Sequence, residues 1–336
     1  MRTRLLALGG MILATGLALA CCVVTHSDRA NMMHQQNIIV WEPDTKTEHF
    51  IRNAKFESKA QDLGFIAPTP SIPKMEEVER EAFETLESLC DAYQAAGPTP
   101  AGAMDEAAAS KVDVVQEVEV ASYKAVTLKA TDAKGLADWM TLHGFVSTPS
   151  IKTWTEFYIR KGWYLTAFKV NVNDGRAETG LVKMSFKTDK PFNPYYVPAD
   201  NVPSADRREG LVVYFVSSGV YAPKGEHPSF RVSVAAPLRI EDLAKLKGEL
   251  KLTALPRNAT VTSFTDHTFP NGANDDLYFE QTGPPPEWPK ERLLTSGVVP
   301  EDRAPQEAQT DSLPMIVGFA AVLVAIGGAL LWRNRK

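Results

Sequence analysis

A cluster of carboxylates in the last third of the chain is the strongest candidate for binding chemistry. The stretch "DHTFPNGANDDLYFE" brings together Asp266, His267, Asp275, Asp276 and Glu280. Carboxylate oxygens in a turn-rich segment suit Ca²⁺, although no calcium-loop register is present. The alternative is a polar loop in which Asn and Gly form tight turns. Asp266, Asp275, Asp276 and Glu280 are therefore weak metal-ligand candidates, and we expect no cofactor.

The sequence contains no recognisable catalytic motif. It lacks a Gly-x-Ser-x-Gly elbow, a His-Glu-x-x-His pair, a Walker loop and a Cys-x-x-Cys pair. The six histidines are scattered, and no two have the i, i+4 spacing that places metal ligands on one helical face. The catalytic residues of an enzyme with this sequence would therefore have to come together from distant positions.

Three cysteines are too few for a disulfide framework. Cys21 and Cys22 follow a segment typical of a signal peptide, so either one is a candidate for lipidation. Cys90 falls in a predicted helix, where a small buried apolar side chain is its usual role. In an oxidising compartment, a bridge from Cys90 to Cys21 or Cys22 is the alternative.

Isolated polar and aromatic residues favour structural roles. Asp62 precedes a predicted strand, where Asp commonly forms a turn, and as a catalytic acid it would need a partner that the sequence does not identify. Trp139, Trp154 and Trp163 could line a carbohydrate platform, but their apolar neighbours favour the core.

Both ends of the chain predict a location outside the cytoplasm. Residues 1–20 combine Arg2 and Arg4 with an apolar run and a small-residue cleavage site, as in a signal peptide, the alternative being an uncleaved anchor. Residues 315–332 are 18 uncharged residues, about 27 Å of helix, close to the thickness of a bilayer. The basic tail 333–336 predicts a cytoplasmic C-terminus. We therefore expect a single-pass protein of the cell membrane, with the lipid bilayer as a partner.

The charge of the intervening region argues against nucleic-acid binding. Five of the 36 basic residues lie in the terminal segments, which leaves 31 basic against 41 acidic side chains, a net charge of −10. Phosphate recognition requires clustered Lys and Arg.

The pattern between the ends predicts an α+β domain over residues 37–282, with a largely antiparallel sheet and three or four helices. Helical periodicity is seen in residues 73–93, from Leu136 to Leu142 after an Asp132 cap, in residues 153–162 and from Ile240 to Lys247. Extended patterns follow one another along the chain. The predicted strands are 38–41, 49–56, 63–67, one or two within 112–131, 163–172, 181–188, 211–217, 229–235, 250–255 and 277–280.

Three irregular stretches complete the organisation. Residues 21–36 form an N-terminal segment, residues 94–111 are rich in Ala, Gly and Pro and predict a mobile loop, and residues 283–314 predict a Pro-rich stalk. The prolines of "DLGFIAPTPSIPKMEEVE" (62–79) lie between extended and helical patterns. They indicate a stiff strand-to-helix corner rather than a linker or a polyproline ligand.

The central segments resemble the bacterial domain of unknown function 2330. The first block carries Asp62, Phe65, Pro68, Pro70, Pro73, Phe83 and Leu86 in the places typical of that family. The second block carries Tyr123, Leu128, Ala133, Leu136, Trp139, Gly144, Phe145, Tyr158, Gly162, Trp163, Phe168 and Lys169. Phe65 departs from the Trp that is more usual in the family, and Cys21-Cys22-Val23-Val24 departs from its common Cys-Gly-Gly start. The resemblance implies a signal peptide and often a C-terminal membrane helix, but no established activity.

Two functional hypotheses follow. The first is a membrane-anchored extracytoplasmic module that binds an envelope protein or polysaccharide, or contributes to envelope structure, without being an enzyme. The alternative is an extracytoplasmic hydrolase that acts on envelope polymers with a non-local active site. An exposed sheet edge would favour binding, whereas a pocket that gathers titratable groups would favour the enzyme.

Overall fold

The computed structural model describes residues 22–23, 31–57, 64–95, 114–121, 123–170, 180–202, 210–225, 227, 229–256 and 258–288. These residues belong to one compact unit. The predicted signal peptide, Asp62, most of the predicted loop 94–111, most of the predicted stalk and the predicted membrane helix 315–332 lie outside them. Among the described residues, no helix has the length and apolar character needed to span a bilayer.

Four helices and fifteen strands make up the described fold. The helices are α1 (Glu81–Gln94), α2 (Ala133–Leu142), α3 (Pro149–Arg160) and α4 (Ile240–Glu249). The strands are β1 (Cys22–Val23), β2 (Asn31–Glu42), β3 (Thr47–Glu57), β4 (Gly64–Thr69), β5 (Lys74–Val78), β6 (Val114–Val120), β7 (Tyr123–Leu128), β8 (Tyr164–Val170), β9 (Leu181–Lys187), β10 (Phe192–Asn193), β11 (Leu211–Ser217), β12 (Val220–Pro223), β13 (Arg231–Pro237), β14 (Thr260–Asp266) and β15 (Leu277–Gly283).

The strands form three sheets. The largest has seven strands in the order β13-β14-β11-β2-β3-β9-β5, a second has five in the order β1-β4-β8-β7-β6, and a third has three in the order β10-β15-β12. Among the described strands, β2 and β11 are the one parallel pair. The α+β class with mostly antiparallel sheets and four helices is therefore confirmed.

Alternation along the central strands sorts apolar side chains into two cores. Ile38 and Val40 of β2 belong to one cluster, while Ile39 and Trp41 belong to the other, because successive side chains of a strand point to opposite faces. The first cluster lies between the seven-stranded sheet and the helices α1 and α4. The second, larger cluster includes residues of the five- and three-stranded sheets and of α2 and α3. The seven-stranded sheet thus separates two cores.

Capping residues define where α2 and α3 begin. The Asp132 side chain accepts a hydrogen bond from the Gly135 N–H at 2.7 Å, and Thr148 accepts one from the Ile151 N–H at 3.2 Å. Both bonds satisfy amide groups that have no partner within the helix. Gly144 follows α2 with a φ of +75°, a conformation that suits glycine at a helix end. The helix predicted after Asp132 is therefore confirmed, including its start and its stop.

Two sequence predictions are corrected. The predicted helix 73–93 is helical only from Glu81, because Lys74–Val78 forms β5 and pairs with β9. Met75 and Val78 of β5 are buried on opposite faces of the sheet, in the two different cores. The predicted strand 250–255 is wrong, since Leu250 caps α4 and Lys251 turns the chain with a φ of +47°. The strand in this region is β14, which the sequence analysis missed.

The proline corner joins two sheets. β4 lies in the five-stranded sheet and β5 in the seven-stranded sheet, so residues 70–73 carry the chain from one layer to the other. The prolines lie within the fold rather than in a linker, as predicted, but the predicted strand-to-helix corner is wrong, because the element after it is the strand β5.

Candidate functional site

A buried ammonium group lies beside two of the acidic residues that the sequence singled out. Lys161 follows α3, and its side chain is only 3% exposed. Its Nζ atom lies 2.7 Å from Asp275 Oδ1 and 2.7 Å from the Tyr278 hydroxyl, and 3.9 Å from Asp276 Oδ2. The ring of Phe157, 4.1 Å from Nζ, adds a cation–π contact. A cation therefore already occupies the space between two of the candidate metal ligands.

Asp276 is the more deeply buried of the two carboxylates beside Lys161. Its Oδ1 atom accepts hydrogen bonds from the Tyr158 hydroxyl at 2.8 Å and from the Tyr195 N–H at 3.0 Å. Burial raises the pKa of Asp276 to about 6, although the positive charge of Lys161 opposes the shift. These contacts tie β15 to the end of α3.

Asp266, at the end of β14, forms a separate cluster. It accepts a hydrogen bond from the Tyr195 hydroxyl, and both the N–H and the hydroxyl of Thr268 donate to its Oδ1 atom at 2.7 Å. Asn271 donates to the Tyr195 hydroxyl at 2.6 Å. Burial and the neighbouring carboxylate raise the pKa of Tyr195. The hydrogen bonds that Asp266 accepts therefore stabilise the turn that follows β14.

The metal-ligand candidates do not share one site. Asp266 bonds to Tyr195, Asp275 and Asp276 surround Lys161, and Glu280 is exposed on β15. Within the described part of the chain, no three His, Cys, Asp or Glu side chains are arranged to hold a metal ion.

Glu48 is a further buried carboxylate near Asp276. Glu48 of β3 is fully buried, and its Oε2 atom accepts a hydrogen bond from the Phe192 N–H at 2.9 Å. Burial is the main cause that raises the pKa of Glu48 well above its usual value, and the negative charge of Asp276 adds to the shift. Asn37 and Asn193 extend this polar interior with a bond of 2.7 Å.

The other candidates divide between core and surface. Cys90 is a free, buried thiol of α1 whose pKa burial raises to about 12, so it is a poor nucleophile at neutral pH. Cys22 begins β1, beside β4, and Cys21 lies outside the described residues. Trp154 and Trp163 are core residues, while Trp139 is partly buried and stacks on His143 with 4.1 Å between ring centroids.

The five-stranded sheet ends in an exposed strand. β6 pairs with β7, and no other described strand pairs with it. Its residues 115–120 alternate between exposed and half-buried side chains: Val115 is 43% exposed, and Glu117 and Glu119 are also exposed. Such an edge offers unpaired backbone groups to a further strand. The sequence analysis did not identify this edge, because the order of strands in a sheet is not a local property.

A serine, a histidine and a glutamate also meet across three strands. His49 Nδ1 lies 2.8 Å from Ser185 Oγ, and His49 Nε2 lies 3.4 Å from Glu42 Oε1. The pairing of β3 with β9 places His49 directly opposite Ser185. Since 136 residues separate these two, sequence spacing gave no sign of the contact.

Known solved structures and curated proteins give little further guidance. A crystal structure of a mutated baculovirus P35 after caspase cleavage matches with a TM-score of 0.39 and 9% identity. The match covers 74% of this chain and 99% of that chain. This TM-score is too low to support an argument about fold or function. No curated protein matches the sequence.

A family model matches residues 15–218, which is more than half of the chain, and its description is "Uncharacterized protein conserved in bacteria (DUF2330)". Residues that carried the resemblance have structural roles in this fold: Tyr158 bonds to Asp276, and Phe168 stacks on Phe65 at 4.7 Å. The chain belongs to this bacterial family, DUF2330.

Proposed function

We propose that this protein is a single-pass, membrane-anchored extracytoplasmic module that binds an envelope protein along β6, which is an edge strand of the five-stranded sheet in the described part of the chain. The exposed strand β6 is the observation that carries the proposal. An added strand would bond to the backbone of β6, and its side chains would provide specificity.

The side chains of β6 indicate what kind of strand would fit. Glu117 and Glu119 lie two residues apart and therefore point to the same face, and both are exposed. Glu119 already has an ion pair with Lys124 at 3.3 Å, whereas Glu117 lies opposite the uncharged Val126. A partner strand with Lys or Arg at alternate positions complements these charges, since opposite charges across a strand pair stabilise it.

The membrane anchor in this proposal rests on the sequence. The apolar residues 315–332 and the basic tail 333–336 favour a spanning helix with a cytoplasmic C-terminus. A label that reacts with a cysteine added after Lys336 should modify it from the cytoplasmic side. Modification of intact cells from outside would contradict this orientation.

Affinity capture of the intact protein from solubilised membranes tests the binding. We expect Glu117→Lys to deplete the captured partner, because the substitution places a positive charge opposite a basic strand. Glu84→Lys makes the same charge change on the exposed face of α1 and should leave capture unchanged.

Residues 283–336 alone serve as the background. Equal recovery of all proteins by the complete chain and by this background would contradict binding. Enrichment that Glu117→Lys does not reduce would contradict the assignment to β6. A hydrolase needs a reactive side chain, and the described residues of β6 do not provide one. Binding is therefore the function that we propose for the β6 edge.

A further inference from the structure

The row formed by Glu42, His49 and Ser185 lies on the face of the seven-stranded sheet that also carries Ile51 and Leu181. His49 and Ile51 are two residues apart on β3, and Ser185 and Lys183 face them on β9. Glu42 is the last residue of β2, beside the turn that leads into β3. The row is thus held by three adjacent strands rather than by loops.

Hydrogen bonding assigns different roles to the two ring nitrogens of His49. Glu42 Oε1, 3.4 Å from Nε2, favours the tautomer that carries its proton on Nε2. This leaves Nδ1 as an acceptor for the Ser185 hydroxyl, 2.8 Å away. In the serine-protease template the two nitrogens have the opposite roles, but the order of carboxylate, imidazole and hydroxyl is the same.

The surroundings of His49 suit a base. Burial, the largest effect, lowers the pKa of His49, and Lys183 acts in the same direction, while Glu42 and Glu76 oppose them. The imidazole is therefore neutral at neutral pH, as a general base must be. The side chains of His49 and Glu42 are 11% and 20% exposed, and Ser185 is half-buried.

A lysine lies opposite Ser185 on the neighbouring strand. Lys74 of β5 is directly opposite Ser185, on the side away from His49, and its side chain is 72% exposed. The backbone of β9 is paired with both β3 and β5, so its amides are not available to an oxyanion. The Lys74 ammonium pairs with Glu76 Oε1 at 2.8 Å, and it would have to leave this ion pair to neutralise an oxyanion on Ser185.

We propose that Ser185 is a nucleophile for the hydrolysis of carboxylic esters, with His49 as general base and Glu42 as the positioning residue. Ser185 Oγ attacks the carbonyl carbon while its proton moves to His49 Nδ1. The C–O bond of the ester then breaks, and the alcohol leaves with that proton. Water then attacks the acyl carbon while its proton moves to His49 Nδ1. The bond between the acyl carbon and Ser185 Oγ breaks, His49 returns the proton to Ser185 Oγ, and the acyl group leaves as a carboxylic acid. The inference does not depend on partner binding at β6.

A fluorophosphonate probe and p-nitrophenyl acetate test the proposal on the complete protein in detergent. We expect the probe to form one adduct at Ser185, located by peptide mass mapping, and S185A to remove both the adduct and the hydrolysis. Loss of the base in H49Q should slow labelling by about 100-fold or more. E42Q should also slow labelling, because an uncharged amide favours the proton on His49 Nε2 less strongly than the Glu42 carboxylate does.

A matched control and a pH profile separate catalysis from structure. Ser233 makes a similar cross-strand contact, to Thr265 Oγ1 at 2.9 Å, so S233A should leave labelling unchanged. The labelling rate of the wild-type protein should fall on acidification with a midpoint below 6.5, the ordinary pKa of histidine, since burial lowers the pKa of His49.

Wild-type protein that forms no adduct at Ser185 would overturn the proposal. So would labelling of a folded H49Q variant at the wild-type rate. Because the adduct site is mapped on the wild-type protein, the test stands even if S185A does not fold.

Discussion

Lys161 shows how one buried charge can organise distant residues. It joins the end of α3 to Asp275 and Tyr278, more than 110 positions later in the chain. We expect Lys161→Met to destabilise the fold by about 3–5 kcal/mol, because it leaves buried carboxylates without their cation. Urea unfolding measures the change.

The exposed pair of Lys134 and Asp138 gives the control for this substitution. Their charged atoms lie 2.6 Å apart on the surface of α2. Lys134→Met should leave the unfolding free energy nearly unchanged, because exposed i, i+4 pairs contribute little. Equal losses in the two variants would contradict the role assigned to Lys161.

The raised pKa of Asp276 predicts a pH dependence of stability. Between about pH 4 and the folded pKa of about 6, the folded state holds a proton on Asp276 that the unfolded state has released. Stability therefore falls as pH rises through this range and levels off above it. The contribution is on the order of 3 kcal/mol, because the pKa of Asp276 rises from its usual 3.8 to about 6 on folding. Glu48 acts in the same direction.

Asp276→Asn tests this dependence, since an amide does not titrate and its oxygen can still accept from Tyr158. Unfolding free energies at pH 4.5 and pH 7 should differ less in the variant than in the wild type. Glu280→Gln, at an exposed position of β15, should keep the wild-type difference. An unchanged difference in Asp276→Asn would contradict the assignment.

At the scale of elements, two glycines differ in the space around them. A Cβ atom at Gly64 in β4 would lie 2.6 Å from Phe145 Cε1, whereas nothing lies within 4 Å of one at Gly248 in α4. Gly64→Ala should destabilise the fold by about 1–3 kcal/mol through overpacking. Gly248→Ala should stabilise it by about 0.5–1 kcal/mol, because alanine favours the helix. Thermal unfolding of both variants gives the signs, and the same sign for both would contradict this packing.

The sequence predicted an element correctly where interactions between neighbouring residues determine its structure. The Asp132 cap and the Gly144 stop define α2, and both can be read from the sequence. Residues 74–78 have the same apolar spacing as the helix after them, and they are extended because β9 offers them an edge with which to pair. Pairing between distant strands overrode the local preference there.

The candidate sites were less predictable than the elements. The acidic segment around Asp275 and Asp276 was identified from composition, but its partner Lys161 was not. Ser185 and His49 gave no sign of their contact, because it depends on the register of β3 against β9. Contacts that depend only on the register of distant strands produce no periodic pattern in a single sequence, so they cannot be predicted from it.

At the scale of the whole molecule, the chain stays attached to the domain beyond the last strand. Trp288 lies within the predicted stalk, yet it contacts Tyr93 at 5.1 Å between ring centroids and lies under the Arg239 guanidinium at 5.6 Å. The Tyr93 hydroxyl donates to the Glu287 carbonyl at 3.2 Å. The predicted stalk therefore begins with residues that are packed on the domain.

Trp288→Ala should destabilise the domain by about 1–3 kcal/mol through lost apolar contact. Leu142→Ala is the control, because Leu142 is apolar but 82% exposed. Chemical unfolding followed by circular dichroism gives both values. A loss in Trp288→Ala no larger than that in Leu142→Ala would contradict the packing of residues 284–288.

The central position of β2 has a consequence for how the protein folds. β2 pairs on one side with β3, its neighbour in the chain, and on the other side with β11, whose Leu211 lies opposite Gln35. The ribosome must therefore add 176 residues after Gln35 before the middle of the sheet can close. Until then, the apolar edge of Ile38, Ile39 and Val40 lacks its second neighbour. Contacts between residues so far apart in the sequence slow folding. Because synthesis starts at the N-terminus, β2 is exposed before β11 is made, and the growing chain needs protection from aggregation.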